Sequence, residues 1–243
     1  MPQALPYPLA ATPGRPLAAG PRLRRAAAWA SLAGAGLWAL PAGAVSLGMT
    51  DSFSGGVSAG WTTGANSPNP PTGVASGGPA GAGDGFLRID SSGASGPGGR
   101  LVVFSSGAWA GNYTAAGITG ITMDVMNLGA TGLSLRLYFE NAATSAFSLQ
   151  AIPLPAGSGW TPVRFDLQLP ALSGAAAATL ASATDFRLYH NPSATGPQGT
   201  PGSPFIAASL GIDNVSAVPE PGAGLLMALG LAAWLGWRSP RCR

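Results

Sequence analysis

Between Thr50 and Val218 the chain repeats one pattern, a short run of alternating apolar and polar residues followed by a glycine-rich break. The runs are "ITMDV" (121–125), "LSLRLYF" (133–139), "FSLQAI" (147–152), "VRFDLQL" (163–169) and "FRLYH" (186–190), with shorter ones at "FLRID" (86–90), "LVVF" (101–104) and "FIAASLGIDNV" (205–215). A period of two sends successive side chains to opposite faces, which suits a strand with one face in a core and one in water. The breaks, such as "NLGATG", "PAGSGW" and "SSGASGPGG", have turn composition. No region sustains a helical period; "LSGAAAATLASATDF" offers at most one short helix. About eight short strands at this spacing predict an all-β fold, a two-sheet antiparallel sandwich of the jelly-roll type. The stretch Asn66–Gly85 is too rich in Pro and Gly for a core and reads as a long surface loop.

Charge narrows what such a sandwich can do. Only 9% of the 243 residues are charged, and all twelve basic ones are arginine. The formal charge of +3 comes from the ends, because between Val45 and Val218 five arginines face eight acids, a net charge of −3. A nucleic-acid binder needs its basic residues on the folded part, so that class is excluded. The single cysteine, Cys242, leaves no partner for an intrachain disulfide.

Both ends are apolar in a different way from the body. Arg22, Arg24 and Arg25 precede the run Ala26–Leu40, and "PAGAV" follows with small residues at Ala42 and Ala44. A basic segment, a short apolar segment and a small-x-small site describe a secretory signal helix removed by signal peptidase after Ala44. At the other end Gly222–Trp237 carries no charge and ends in Arg238, Arg241 and Arg243. At 1.5 Å per residue, sixteen residues reach about 24 Å as a helix, a marginal transmembrane span whose arginines set its cytoplasmic end.

Val218, Pro219, Glu220 and Pro221, the apolar segment and the arginine cluster together resemble the PEP-CTERM sorting signal of Gram-negative bacteria. The resemblance implies that the membrane protease exosortase recognises the tail and cuts near Pro-Glu-Pro. The precursor would then sit transiently in the inner membrane, and the body would pass to the cell surface or extracellular matrix. The body also resembles the sandwiches found in front of such tags, which are similar to carbohydrate-binding modules or laminin-G-like domains; "DSF", "WAGNYTAAGITGITMDVMNLG" and "LGIDNVSAVPEP" carry the likeness. The expected organisation is a signal peptide with an N-terminal extension at 1–44, a β-sandwich at 45–217 and the sorting signal at 218–243.

The body offers little for catalysis. His190 is its one histidine and sits at a strand end before Asn191-Pro192, its carboxylates are scattered, and the expectation is a protein that is not an enzyme. Calcium is the candidate cofactor: Asp51 opens the first strand and Asp213 lies in the last, strands that run side by side in a jelly roll, and Asp84 adds a loop oxygen. Trp61, Trp109, Tyr113 and Trp160 lie beside small residues near turns and are the candidates for stacking on sugar rings. Two functions follow: a non-catalytic binding or structural module for extracellular polysaccharide, or a secreted hydrolase of glycans using His190 and nearby acids.

Overall fold

The computed structural model describes residues 44–222 apart from 57, 59, 200 and 201. The expected signal helix, the apolar tail segment from residue 223 and the arginines 238, 241 and 243 lie outside the described residues. Among those described, no helix is long and apolar enough to cross a membrane.

The alternating runs form an all-β sandwich of two antiparallel sheets. The strands are β1 (Thr50–Asp51), β2 (Trp61–Thr62), β3 (Thr72–Val74), β4 (Phe86–Ser92), β5 (Val102–Gly111), β6 (Gly120–Asn127), β7 (Leu133–Glu140), β8 (Ser145–Ser148), β9 (Ile152–Leu154), β10 (Thr161–Asp166), β11 (Leu172–Gly174), β12 (Ala183–His190) and β13 (Ala207–Val218). The first sheet has the order β10-β6-β13-β4-β3, with β1 also on β13; the second has β11-β8-β7-β12-β5-β2, with β9 also on β7. The chain crosses between sheets after β1, β2, β4, β5, β6, β9, β10 and β12, the alternation of a jelly roll. The alanine-rich run forms the expected short helix, α1 (Ala176–Leu180).

Two expectations change in detail. "FSLQAI" is two strands, β8 and β9, because the chain leaves the sheet after Ser148, where the Leu149 N–H turns to Ala171 O. The expected loop at 66–85 contains β3, which adds an edge to the first sheet by pairing Thr72 with Arg88 and Val74 with Phe86.

Alternation decides what each strand contributes. On β6, Ile121, Met123 and Val125 are buried, and on β7 so are Leu133, Leu135, Leu137 and Phe139. At the centre lies an aromatic cluster: Trp109 stacks on Phe186 with centroids 5.2 Å apart, and Trp61 meets Phe186 edge-on at 5.5 Å. The polar edge of this cluster is satisfied from the other sheet. The carboxylate of Asp51, on β1, accepts the indole N–H of Trp61 at 2.7 Å and of Trp109 at 2.8 Å.

Asp51→Ala removes the shared acceptor and leaves two indole N–H groups unsatisfied in the core. Buried donors cost about 1–3 kcal/mol each when orphaned, so a loss of about 3 kcal/mol is expected. Urea unfolding followed by tryptophan fluorescence measures it, and a change under 1 kcal/mol would show that water replaces the carboxylate.

Candidate functional site

Because both strand faces are set by register, the outer face of the second sheet follows directly from its pairings. Thr62 pairs with Phe104, Phe104 with Arg187, Arg187 with Tyr138 and Tyr138 with Phe147, so one row of side chains crosses five adjacent strands. At about 4.8 Å between strands the row is roughly 19 Å long. Phe104, Arg187, Tyr138 and Phe147 are all half-buried, apolar faces and one cation together at a surface.

Arg187 organises the row. Its guanidinium lies 5.3 Å from the centre of the Phe104 ring and 5.2 Å from that of Tyr138, a cation between two aromatic faces. Its Nε donates to Asp185 at 2.8 Å and its Nη2 donates to Glu140, which also accepts from the Tyr138 hydroxyl at 3.0 Å. Burial pushes Asp185 above the usual carboxylate range even though Arg187 pulls it down. The side chains of this floor are therefore fixed before any ligand arrives.

Loops stand over both ends of the floor. Gly64 lies beside Phe104, and Gly196 lies so close to Tyr138 that a Cβ there would come within 3.3 Å of the ring. The second loop is anchored by Arg136, which is buried without a carboxylate: its guanidinium donates to the backbone carbonyls of Ser148, Leu149, Asn191 and Pro192. Desolvation lowers its pKa. Between these two loops the outer face of the sheet is an aromatic and cationic floor, and the space above it is the candidate groove.

The residues singled out in the sequence lie elsewhere. Trp61, Trp109 and Tyr113 are 3%, 0% and 0% exposed, so the expectation that they stack on sugars is corrected. Their indole and phenol groups find partners inside the fold, Asp51 for the tryptophans and Trp109 O for the Tyr113 hydroxyl, and burial suits them better than water. Trp160 is half-buried on the first sheet, edge-on to Phe86 at 5.3 Å, and its indole N–H donates to Gly77 O, pinning the 75–85 loop. His190 is buried at the end of β12, its Nδ1 accepting the Ser134 N–H at 2.8 Å, and desolvation lowers its pKa; the ring is neutral and serves the fold.

The three acids proposed around one cation divide. Asp51 is bound to the two indoles, which corrects its pairing with Asp213. Asp213 lies across the sheet from Asp124, followed by Asn214 at φ 50° in a bulge of β13. It is 0% exposed, and its Oδ2 has no hydrogen-bond partner. Burial, with smaller contributions from Asp84 and Asp124, pushes its pKa up to about 6 against a lowering bond from the Asn214 N–H. Asp84 accepts the Ala80 N–H in the loop above. Among the described residues no three His, Cys, Asp or Glu side chains gather closely enough to form a metal site by themselves.

The sorting motif begins where the ladder stops. Val218 pairs with Gly120 and its carbonyl accepts the Thr119 N–H, then Arg164 donates to Pro219 O at 3.2 Å and Gln168 to the Glu220 carboxylate at 3.1 Å. Pro219, Glu220 and Pro221 are exposed.

Comparison with known families matches residues 217–241 to the PEP-CTERM protein-sorting motif, so the chain carries that motif at its C-terminus. The search of curated proteins finds no match. Among solved structures the sandwich is similar to part of an exo-β-agarase, with a TM-score of 0.52 and 11% identity; the alignment covers 72% of this chain and 25% of that one. It is also similar to the family 11 carbohydrate-binding module of Clostridium thermocellum, solved in complex with a β-1,3-1,4-mixed-linked tetrasaccharide, with a TM-score of 0.47, 9% identity, and 72% and 97% of the two chains covered. The chain thus spans about a quarter of the agarase, and the likeness to it shows the fold alone.

The groove row was missed because no single run contains it. The available signal is alternation: in "FRLYH" and "LSLRLYF" the inward Phe186, Leu188, Leu137 and Phe139 leave Arg187 and Tyr138 outward.

The buried Asp213 couples stability to pH. In the unfolded chain an aspartate titrates near 3.9, whereas in the fold Asp213 holds its proton up to about 6. The native state binds more protons between those values, so this group makes stability fall as pH rises from about 4 to 6 in metal-free buffer. Asp213→Asn should remove that slope and raise the melting temperature at pH 7. An unchanged slope would mean that the group ionises freely.

Proposed function

We propose that the protein is an exported surface or extracellular-matrix protein whose sandwich holds polysaccharide in the groove of the second sheet without transforming it. The precursor is anchored by the apolar tail, exosortase cuts it near Pro219-Glu220-Pro221, and the body is released. The sorting motif at 217–241 supports the export route. The observation that carries the binding role is the row Phe104, Arg187, Tyr138 and Phe147, held across four strands by pairing and by the acids around Arg187. Aromatic faces take the C–H side of a sugar ring, and the fixed guanidinium and the carboxylates beside it bond hydroxyls at the edge. A floor already in place costs little side-chain entropy when a chain of sugars settles on it.

The hydrolase alternative is weaker on geometry. Glu140 and Asp185 are the acids at the floor, and both are engaged by Arg187. His190 is buried and already bonded.

Calcium belongs to this proposal as a staple. The orphaned Oδ2 of Asp213, with Asp84 and Asp124 close enough to raise its pKa, suits a hard cation that completes six to eight oxygens with backbone carbonyls and water. Bound there it would secure the 75–85 loop on the first sheet.

Affinity electrophoresis of the protein in gels containing mixed-linked β-glucan, agarose or an acidic galactan tests the reading. Retardation by at least one polymer is expected, with Tyr138→Ala and Arg187→Ala each weakening it about tenfold or more and no reducing sugar released. Retardation that survives both substitutions would place binding elsewhere, and release of reducing ends would favour the hydrolase.

A further inference from the structure

Beside the Phe104 end of the floor is a pocket of about 280 Å³, lined among others by Thr63, Asp90, Gly98, Arg100, Val102 and Phe205. Two of these residues adjoin the row. Thr63 follows Thr62, the last member of the row, and Val102 pairs with Tyr189 one step along the same strands.

Arg100 sets this pocket apart. Arg88 is paired with Asp90, Arg187 with Asp185 and Glu140, Arg136 with four carbonyls and Arg164 with Pro219 O. Among the described residues Arg100 has no such acceptor; its guanidinium lies 4.6 Å from the centre of the Phe205 ring, and its Nε is buried without a hydrogen-bond partner. The one acid in the pocket, Asp90, already accepts both Nε and Nη2 of Arg88. A half-buried guanidinium whose Nε is buried and unpaired is an incomplete arrangement, because buried donors find acceptors and the planar fork of arginine matches an oxyanion with two parallel bonds. Phe205, 43% exposed, leaves apolar surface beside that fork.

We infer that this pocket is an anion subsite, in which Arg100 binds the carboxylate or sulfate of an acidic sugar while its ring rests against Phe205, and that the polysaccharide held in the groove is therefore acidic. The inference rests on the groove reading and names its ligand class. The body's net charge of −3 does not oppose it, since selection comes from one uncompensated cation at a fixed place and not from the average field.

The test is calorimetric titration of the full chain with three oligosaccharides of equal length: a neutral mixed-linked β-glucan, an oligogalacturonate and a sulfated galactan. At least one acidic ligand should bind tenfold or more tighter than the neutral one at low salt, and whichever does so identifies the anion. Arg100→Gln should bring that ligand down to the neutral level and remove its salt dependence while neutral binding stays unchanged, with Arg100→Lys intermediate. Tyr138→Ala should weaken all bound ligands together; if it does nothing while Arg100→Gln acts, the groove reading fails and the anion subsite stands. Equal affinity for neutral and acidic ligands, or loss of both alike in Arg100→Gln, would overturn the inference.

Discussion

One carboxylate joins the two layers of this protein. Asp51 belongs to the first sheet through its pairing with Val215, and the indole N–H groups it accepts belong to Trp61 and Trp109 of the second. Trp109 in turn stacks on Phe186, and Phe186 is the inward neighbour of Arg187 on β12. A strand whose inner residue is locked has its outer residue aimed as well, because successive side chains leave opposite faces. The position of Arg187 over Phe104 and Tyr138 is thus a consequence of how the core is closed.

The two sheets use their outer faces differently. The first is covered in part: Trp160 holds the 75–85 loop against Phe86, and Asp213 is cut off from water. The second keeps its face open between loops, with Arg136 anchoring one of them through four carbonyls. One face supplies stability and the other a surface with fixed chemistry. The sorting motif leaves the first sheet at the end of β13, where Arg164 and Gln168 bond it.

Much of the fold was legible in the sequence because alternation and glycine breaks are local signals. "ITMDV", "LSLRLYF" and "FRLYH" became β6, β7 and β12 with the expected inward residues. The tail was legible too, since its motif, apolar segment and arginines are consecutive. The site was not. Tryptophans beside glycine and threonine look exposed in one dimension, yet Trp61 and Trp109 turn inward once Asp51 offers an acceptor ten and fifty-eight residues away. The candidate row depends on register between strands far apart in sequence, and Arg187 meets Phe104 only after β12 has paired with β5. Asp213 was expected to meet Asp51 and Asp84 around calcium; Asp84 acts on it in the fold, but Asp124 takes the place of Asp51 because a bulge and strand pairing that composition does not reveal set its neighbours.

On the proposed reading, a polysaccharide meets the protein at the outer face of the second sheet. Solution NMR of the protein, titrated with the oligosaccharide that it binds most tightly, tests this residue by residue through the Arg187 and Arg100 Nε–H signals, the Phe104 and Tyr138 ring signals and the tryptophan indole N–H signals. Large shifts are expected for Phe104, Tyr138 and Arg187, with the indoles of Trp61 and Trp109 unmoved in the core and that of Trp160 unmoved on the opposite sheet. Shifts concentrated on Trp160 and the 75–85 loop, with the Arg187 signal unchanged, would contradict it.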